Sequence, residues 1–106
     1  MIDRQDKAVL EAFAQRVRAH FPRARIWAFG SRSRGDPSCE SDFDICIVLE
    51  AFDQRARDAI SDIAFEVGYE NDVVITTVKF SEDDFDHGPS SASALVANIL
   101  REGIAA

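Results

Sequence analysis

The chain has 106 residues, with 12 Lys and Arg against 19 Asp and Glu, a formal charge of -7, 46% hydrophobic residues and eight Phe. That length predicts one small domain spanning residues 1–106, with enough apolar residues for a core and too many for a disordered chain. The acidic balance argues against a protein that coats nucleic acid or an anionic membrane, because such proteins carry a surplus of Lys and Arg to neutralise phosphates.

The opening, MIDRQDKAVLEAF, is charged from its start and has no unbroken apolar run. It therefore predicts neither a signal peptide nor a transmembrane helix, and a cytoplasmic location is the default expectation. From Asp3 to about His20, Leu10, Phe13, Ala14 and Val17 recur at helical spacing, followed by Phe21, with Arg4, Lys7, Glu11, Arg16 and Arg18 mainly on the other side. An amphipathic helix is expected, stopped by Pro22. Residues 24–29, ARIWAF, form a short β-favouring run between Pro22 and Gly30, and predict a first strand. The stretch 30–41, GSRSRGDPSCES, has the Gly, Ser, Pro and Arg content of a loop, with room for one helical turn.

Residues 42–49, DFDICIVL, become almost wholly apolar after their carboxylates, as expected of a central strand covered on both faces. Between residues 53 and 67, Ala56, Ile60, Ile63, Ala64 and Val67 recur at three and four, predicting a second helix that closes near Gly68. Residues 72–80, DVVITTVKF, predict a third strand. A polar connector follows, with a short helical turn capped by Ser81. A last helix is then expected, capped by Ser90 or Ser91 and stopped at Gly103. The order predicts a small α/β (α+β) domain: a mixed sheet of three main strands with flanking helices. Cys39 and Cys46 lie in no metal-binding or disulfide pattern, and both are expected as reduced thiols, with Cys46 in the core.

The chemistry concentrates between Phe29 and Leu49. Asp42 and Asp44 stand two apart at the head of a strand, so both carboxylates project from one face while Phe43 points to the other. Two adjacent anions repel, and a divalent cation removes the conflict by giving each a hard positive partner. Gly30 and Ser31 follow a strand and can open a turn whose backbone N–H groups, approached closely at Gly30, cradle a phosphate, with Arg32 and Arg34 supplying charge and bidentate geometry. The charge distribution agrees in place. Residues 1–35 hold eight Lys or Arg and three Asp or Glu, and the rest of the chain holds four and sixteen. Taken alone, such a division reads as uneven scatter of solvated charge. Set beside the motif, its boundary reads as a phosphate grip meeting a metal grip.

Together GSRSRG (30–35) and SDFD (41–44) resemble the nucleotidyltransferase superfamily typified by DNA polymerase β, in particular its minimal bacterial and archaeal members; SEDDF and the closing NILREG are also similar. The resemblance implies that fold, with Gly30, Ser31, Arg32 and Arg34 on the triphosphate and Asp42 and Asp44 on two magnesium ions. It implies transfer of a nucleoside monophosphate, AMP from ATP first, to a hydroxyl with release of pyrophosphate. Members of the family place a third carboxylate on the next strand, and Asp72, heading DVVI, is the candidate for that metal-binding and catalytic position, with Glu70 a weaker substitute. Minimal members are often paired with a small helical HEPN-type protein, so the resemblance also implies an antitoxin that adenylylates a protein partner.

Two other classes compete. One is a non-catalytic, nucleotide-binding antitoxin that silences its partner by occlusion, and the other is a nucleic-acid-binding surface formed by the basic first helix and the Arg loop. No membrane partner is expected, and a homo-oligomer is left open. His20 and His87 read as solvated residues, Trp27 as core, Ser33 and Ser41 as loop bonds, and the acidic run 82–86 as surface.

Overall fold

The computed structural model describes residues 2–30, 42–88 and 93–106. Helix α1 spans Arg4–His20; the Asp3 carboxylate accepts from the Gln5 N–H at its N-terminus, and Val9, Leu10, Phe13, Ala14 and Val17 form its buried stripe. Phe21 is its C-cap, ahead of Pro22. Strand β1, Arg25–Phe29, alternates in burial, with Ile26 and Ala28 fully covered. Strand β2, Phe43–Leu49, is buried along nearly its whole length, as its apolar run required.

Helix α2, Gln54–Asn71, starts on Asp53, whose carboxylate accepts from the Ala56 N–H, but it runs past the expected stop. Gly68 is a buried residue within the helix: a Cβ there would stand 2.4 Å from the Val73 carbonyl oxygen, and the Val73 N–H donates back to the Gly68 oxygen. The glycine therefore lets the outgoing chain fold close over the helix. Asp72 ends α2 in the left-handed region, φ 56°, which Asp tolerates better than most residues. The overrun delays strand β3 to Ile75–Ser81 from the expected start at residue 72. Ser81 caps the short helix α3, Glu82–Asp86, as predicted. Helix α4, Ala94–Glu102, is capped by Ser93; Ser90 and Ser91, the expected caps, lie outside the described residues. Gly103 ends it with φ -65°, and its need for glycine is steric, since a Cβ would meet the Ile99 carbonyl at 2.3 Å.

The sheet is mixed, in the order β3-β2-β1-β4. Strands β1 and β2 pair antiparallel, whereas β2 and β3 pair parallel with α2 as the crossover that parallel pairing demands. Three main strands were expected, and a fourth, β4 (Ile104–Ala105), adds two residues antiparallel to β1. The Arg18 guanidinium holds that end in place by donating to the Ala24 and Ala106 carbonyls.

One face of the sheet, carrying Ile26, Ala28, Phe43, Ile45 and Ile47, packs against α1 and α2 in the larger core. The other carries Cys46 and Val48 against Phe85, Val96 and Ile99 of α3 and α4, with Trp27, Phe29 and Phe80 at the margin. Trp27 stacks on Phe85 at 5.2 Å, and burial pushes the Cys46 thiol up to about 12, so it stays protonated as a core residue. Among the described residues no helix is long and apolar enough to cross a membrane.

Candidate active site

The head of β2 carries the two carboxylates, and the strands on either side complete a row. Phe29, the last residue of β1, lies opposite Asp44, and Thr76 of β3 lies beside Asp44 on the other flank. Residues paired in this way share a face of the sheet, so Phe29, Asp44 and Thr76 line one side. The Thr76 hydroxyl donates to an Asp42 carboxylate oxygen at 3.0 Å. Phe43, between the two acids, is fully buried on the opposite face, and its N–H donates to the Val74 carbonyl at 2.8 Å. That anchor aims both carboxylates away from the larger core, as the period of two predicted.

Gly30 closes the end of this row. Its φ is +84°, and a Cβ would stand 2.7 Å from an Asp44 carboxylate oxygen. Both the left-handed backbone and the close approach exclude a side chain here. The chain thus leaves β1 with the Gly30 backbone directly against the Asp44 carboxylate. Burial raises the pKa of Asp44 above the ordinary carboxylate value, and the neighbouring charge of Asp42 raises it further.

The structure therefore brings Gly30, Asp42 and Asp44 together. Ser31, Arg32 and Arg34, expected on the phosphates, lie outside the described residues. Asp72, expected as the third metal ligand, is placed elsewhere: it is the exposed cap of α2 and lines a groove with Tyr69, Ile75 and Thr77. Ile75 and Thr77 pair with Phe43 and Ile45, so that groove belongs to the face opposite the carboxylates. Among the described residues no three His, Cys, Asp or Glu side chains group closely enough to hold a metal ion. The β3 position that does reach the pair is Thr76, which sequence reasoning missed. No local signal marks it, because its place depends on where α2 ends and on the register of β3 against β2.

Part of the basic first segment is engaged in structure, while Arg4, Lys7 and Arg23 are exposed and Arg32 and Arg34 lie outside the described residues. Arg16 forms ion pairs with Glu66 and Glu70, Arg18 donates to backbone carbonyls, and Arg25 pairs with Asp86 at 2.9 Å. His20 and His87 are exposed, as expected.

These residues fit a divalent cation. Asp42 and Asp44 offer hard oxygen donors from one face, burial and the neighbouring charge of Asp42 both disfavour the ionised form of Asp44, a conflict that a cation relieves, and a glycine keeps the space beside it clear. A site with two protein carboxylates suits a small, hard cation such as magnesium, which takes its other ligands from water and substrate phosphates. The described residues thus set a left-handed glycine at the end of one strand against an acidic pair at the head of the next. A family model for the nucleotidyltransferase domain matches residues 10–104, and the chain belongs to that family. Its four-stranded mixed sheet with flanking helices is consistent with the polymerase β-like nucleotidyltransferase fold. The family's reaction is transfer of a nucleoside monophosphate from a nucleoside triphosphate. Comparison with curated proteins and with solved structures returned no match.

Proposed function

We propose that this protein transfers AMP from ATP to a hydroxyl of a protein acceptor, with magnesium held by Asp42 and Asp44, and that it serves as the antitoxin of a small helical HEPN-type partner. The observation that carries the reading is the meeting of Gly30 with Asp44, where a left-handed glycine brings the start of the GSRSRG loop against the carboxylate pair. In this reading Gly30 and Ser31 receive the triphosphate through backbone N–H groups and a hydroxyl, and Arg32 and Arg34 neutralise its oxygens. Magnesium supplies charge neutralisation and alignment of the phosphates. Asp42 and Asp44 orient the metal-bearing phosphates, Thr76 holds Asp42 through its hydroxyl, and Phe43 keeps the pair aimed from the opposite face. The contribution of the protein is position and charge.

The test is transfer of label from α-labelled ATP to the co-expressed neighbouring protein. Asp42→Asn with Asp44→Asn should lower the rate by at least about 10³-fold, as expected when groups that stabilise transition-state charge are removed. Undiminished labelling sinks the proposal.

A second reading, silencing by occlusion with no transfer, is favoured by the placement of Asp72 on the opposite face, which leaves two carboxylates at the site among the described residues. It requires the double Asn variant to silence the partner in full. Loss of silencing with retained binding supports catalysis.

A further inference from the structure

The two carboxylates are not held alike. Asp44 lies inside the β2 ladder, flanked by Phe29 of β1 and Thr76 of β3, with the Gly30 backbone against it. Asp42 stands one residue ahead of β2, which starts at Phe43, and it is exposed. A backbone bond ties Phe43 to the head of β3, where its N–H donates to the Val74 carbonyl. Beyond that bond, the Asp42 side chain reaches β3 through the Thr76 hydroxyl, which donates to it at 3.0 Å.

Thr76 pairs with Asp44 in the register, yet its hydroxyl passes that neighbour and reaches the acid two residues earlier. Thr76 is itself exposed, and a hydrogen bond between two exposed groups adds little to folding, because water replaces either partner. Its use therefore lies elsewhere. A side chain that must be ordered when a ligand arrives costs affinity, and one already fixed does not. An ionised carboxylate accepts from a hydroxyl on one oxygen and keeps the other for a cation. Threonine suits the task, since branching at Cβ stiffens the side chain that supplies the donor. The next residue offers a contrast: Thr77 faces the other side of the sheet, and its hydroxyl accepts from Lys79 at 2.8 Å.

We propose that Thr76 is a positioning residue that sets the affinity of the site for a divalent cation. Its hydroxyl holds Asp42 in the orientation it shares with Asp44 before the cation binds, and it does so without touching the reacting atoms. The inference rests on the reading that Asp42 and Asp44 hold the cation, and it names the group that makes the more exposed of the two ready. Partners that orient a ligating side chain in this way carry about 10–100-fold in metal affinity.

The test is titration of the full chain with manganese(II), followed by loss of the free-ion EPR signal. Thr76→Val keeps the branched shape that a strand favours and removes the donor. It should weaken manganese binding by about tenfold or more, with circular dichroism unchanged. Thr76→Ser keeps the hydroxyl and should recover most of the affinity, while Thr77→Val, one residue along on the opposite face, should bind as the wild type does. In the transfer assay, Thr76→Val should need more magnesium for half its maximal rate and reach the wild-type rate at saturating magnesium. Unchanged manganese affinity in Thr76→Val overturns the proposal and leaves the carboxylate reading standing. An equal loss in Thr76→Ser overturns it as well, by making the position one of shape. A rate that stays low at saturating magnesium does the same, by assigning the hydroxyl to the substrate. If the wild type and the Asp42→Asn, Asp44→Asn double variant take up manganese alike, the carboxylate reading itself fails, and this proposal with it.

Discussion

The two faces of this sheet are built by the same strands and serve different ends. On the α1 and α2 side, β2 places Phe43, Ile45 and Ile47 one after another into a continuous core, each fully buried. On the other side the same strand begins with Asp42 and Asp44 and turns apolar only at Cys46 and Val48, which pack beneath α3 and α4. One strand thus anchors itself on one face and presents charge on the other, and the alternation of side chains makes the two roles separable by substitution. The face that is wholly core provides the rigidity, and the face that is half core carries the carboxylates.

The comparison breaks most visibly at Phe43. Replacing it with Ala should cost about 3–5 kcal/mol, the usual range for an excavated aromatic, and should disorder the carboxylates on either side. Urea unfolding measures the first and nucleotide titration the second. Phe43→Leu should cost less than about 1.5 kcal/mol; equal costs for the two would show that the position is no anchor. On the other face Phe85→Ala should cost about 3 kcal/mol by the same measure, because Phe85 lies beneath Trp27 and Phe80 and is 2% exposed. Its nucleotide affinity should nevertheless hold, since the α1 and α2 face keeps β2 in place.

Gly30→Ala sharpens the contrast at the site itself. It should cost about 1–3 kcal/mol, the range for a residue forced into a sparsely populated backbone conformation, and lower transfer more than tenfold by pushing Asp44 aside. A mutant with normal kinetics would show the close approach to be incidental. The smallest effect expected is a gain. Asp42→Asn removes a charge that raises the pKa of Asp44, while its amide oxygen still accepts from Thr76. An acid whose folded pKa is raised opposes folding above that pKa, and the opposition fades as pH falls toward the ordinary value of 3.8. The variant should therefore be more stable near pH 7 by about 0.5 kcal/mol, as for adjacent like charges relieved on a strand, and the gain should vanish in acid. A carboxyl NMR titration should show the Asp44 pKa lowered, with the part due to burial retained.

Much of this was legible in the residues. The Ser81 cap, the apolar stripes of α1 and α2, and the shared face of Asp42 and Asp44 all follow from local periodicity and side-chain chemistry. The glycine beside the carboxylates was legible as a place of close approach. Harder to read was the passage from α2 to β3. Gly68 carries the signature of a helix stop and is a packing residue, Asp72 heads an apolar run and is a helix cap, and β3 starts three residues late. Those errors share a cause: the end of α2 depends on how the returning chain packs over the helix, and neither periodicity nor propensity encodes that contact. The short β4 was missed because two residues hold no period at all.

The amino-acid order by itself determined that this chain would put two carboxylates on one side of a buried strand and a glycine at the end of the strand before it, because alternation and steric freedom are properties of neighbouring residues. Only the tertiary structure decided which residue of β3 stands beside them. Register between parallel strands is set by which side chains each must bury, and that register, with the point where α2 ends, put Thr76 beside the pair and left Asp72 on the opposite face, at the rim of the groove lined by Tyr69.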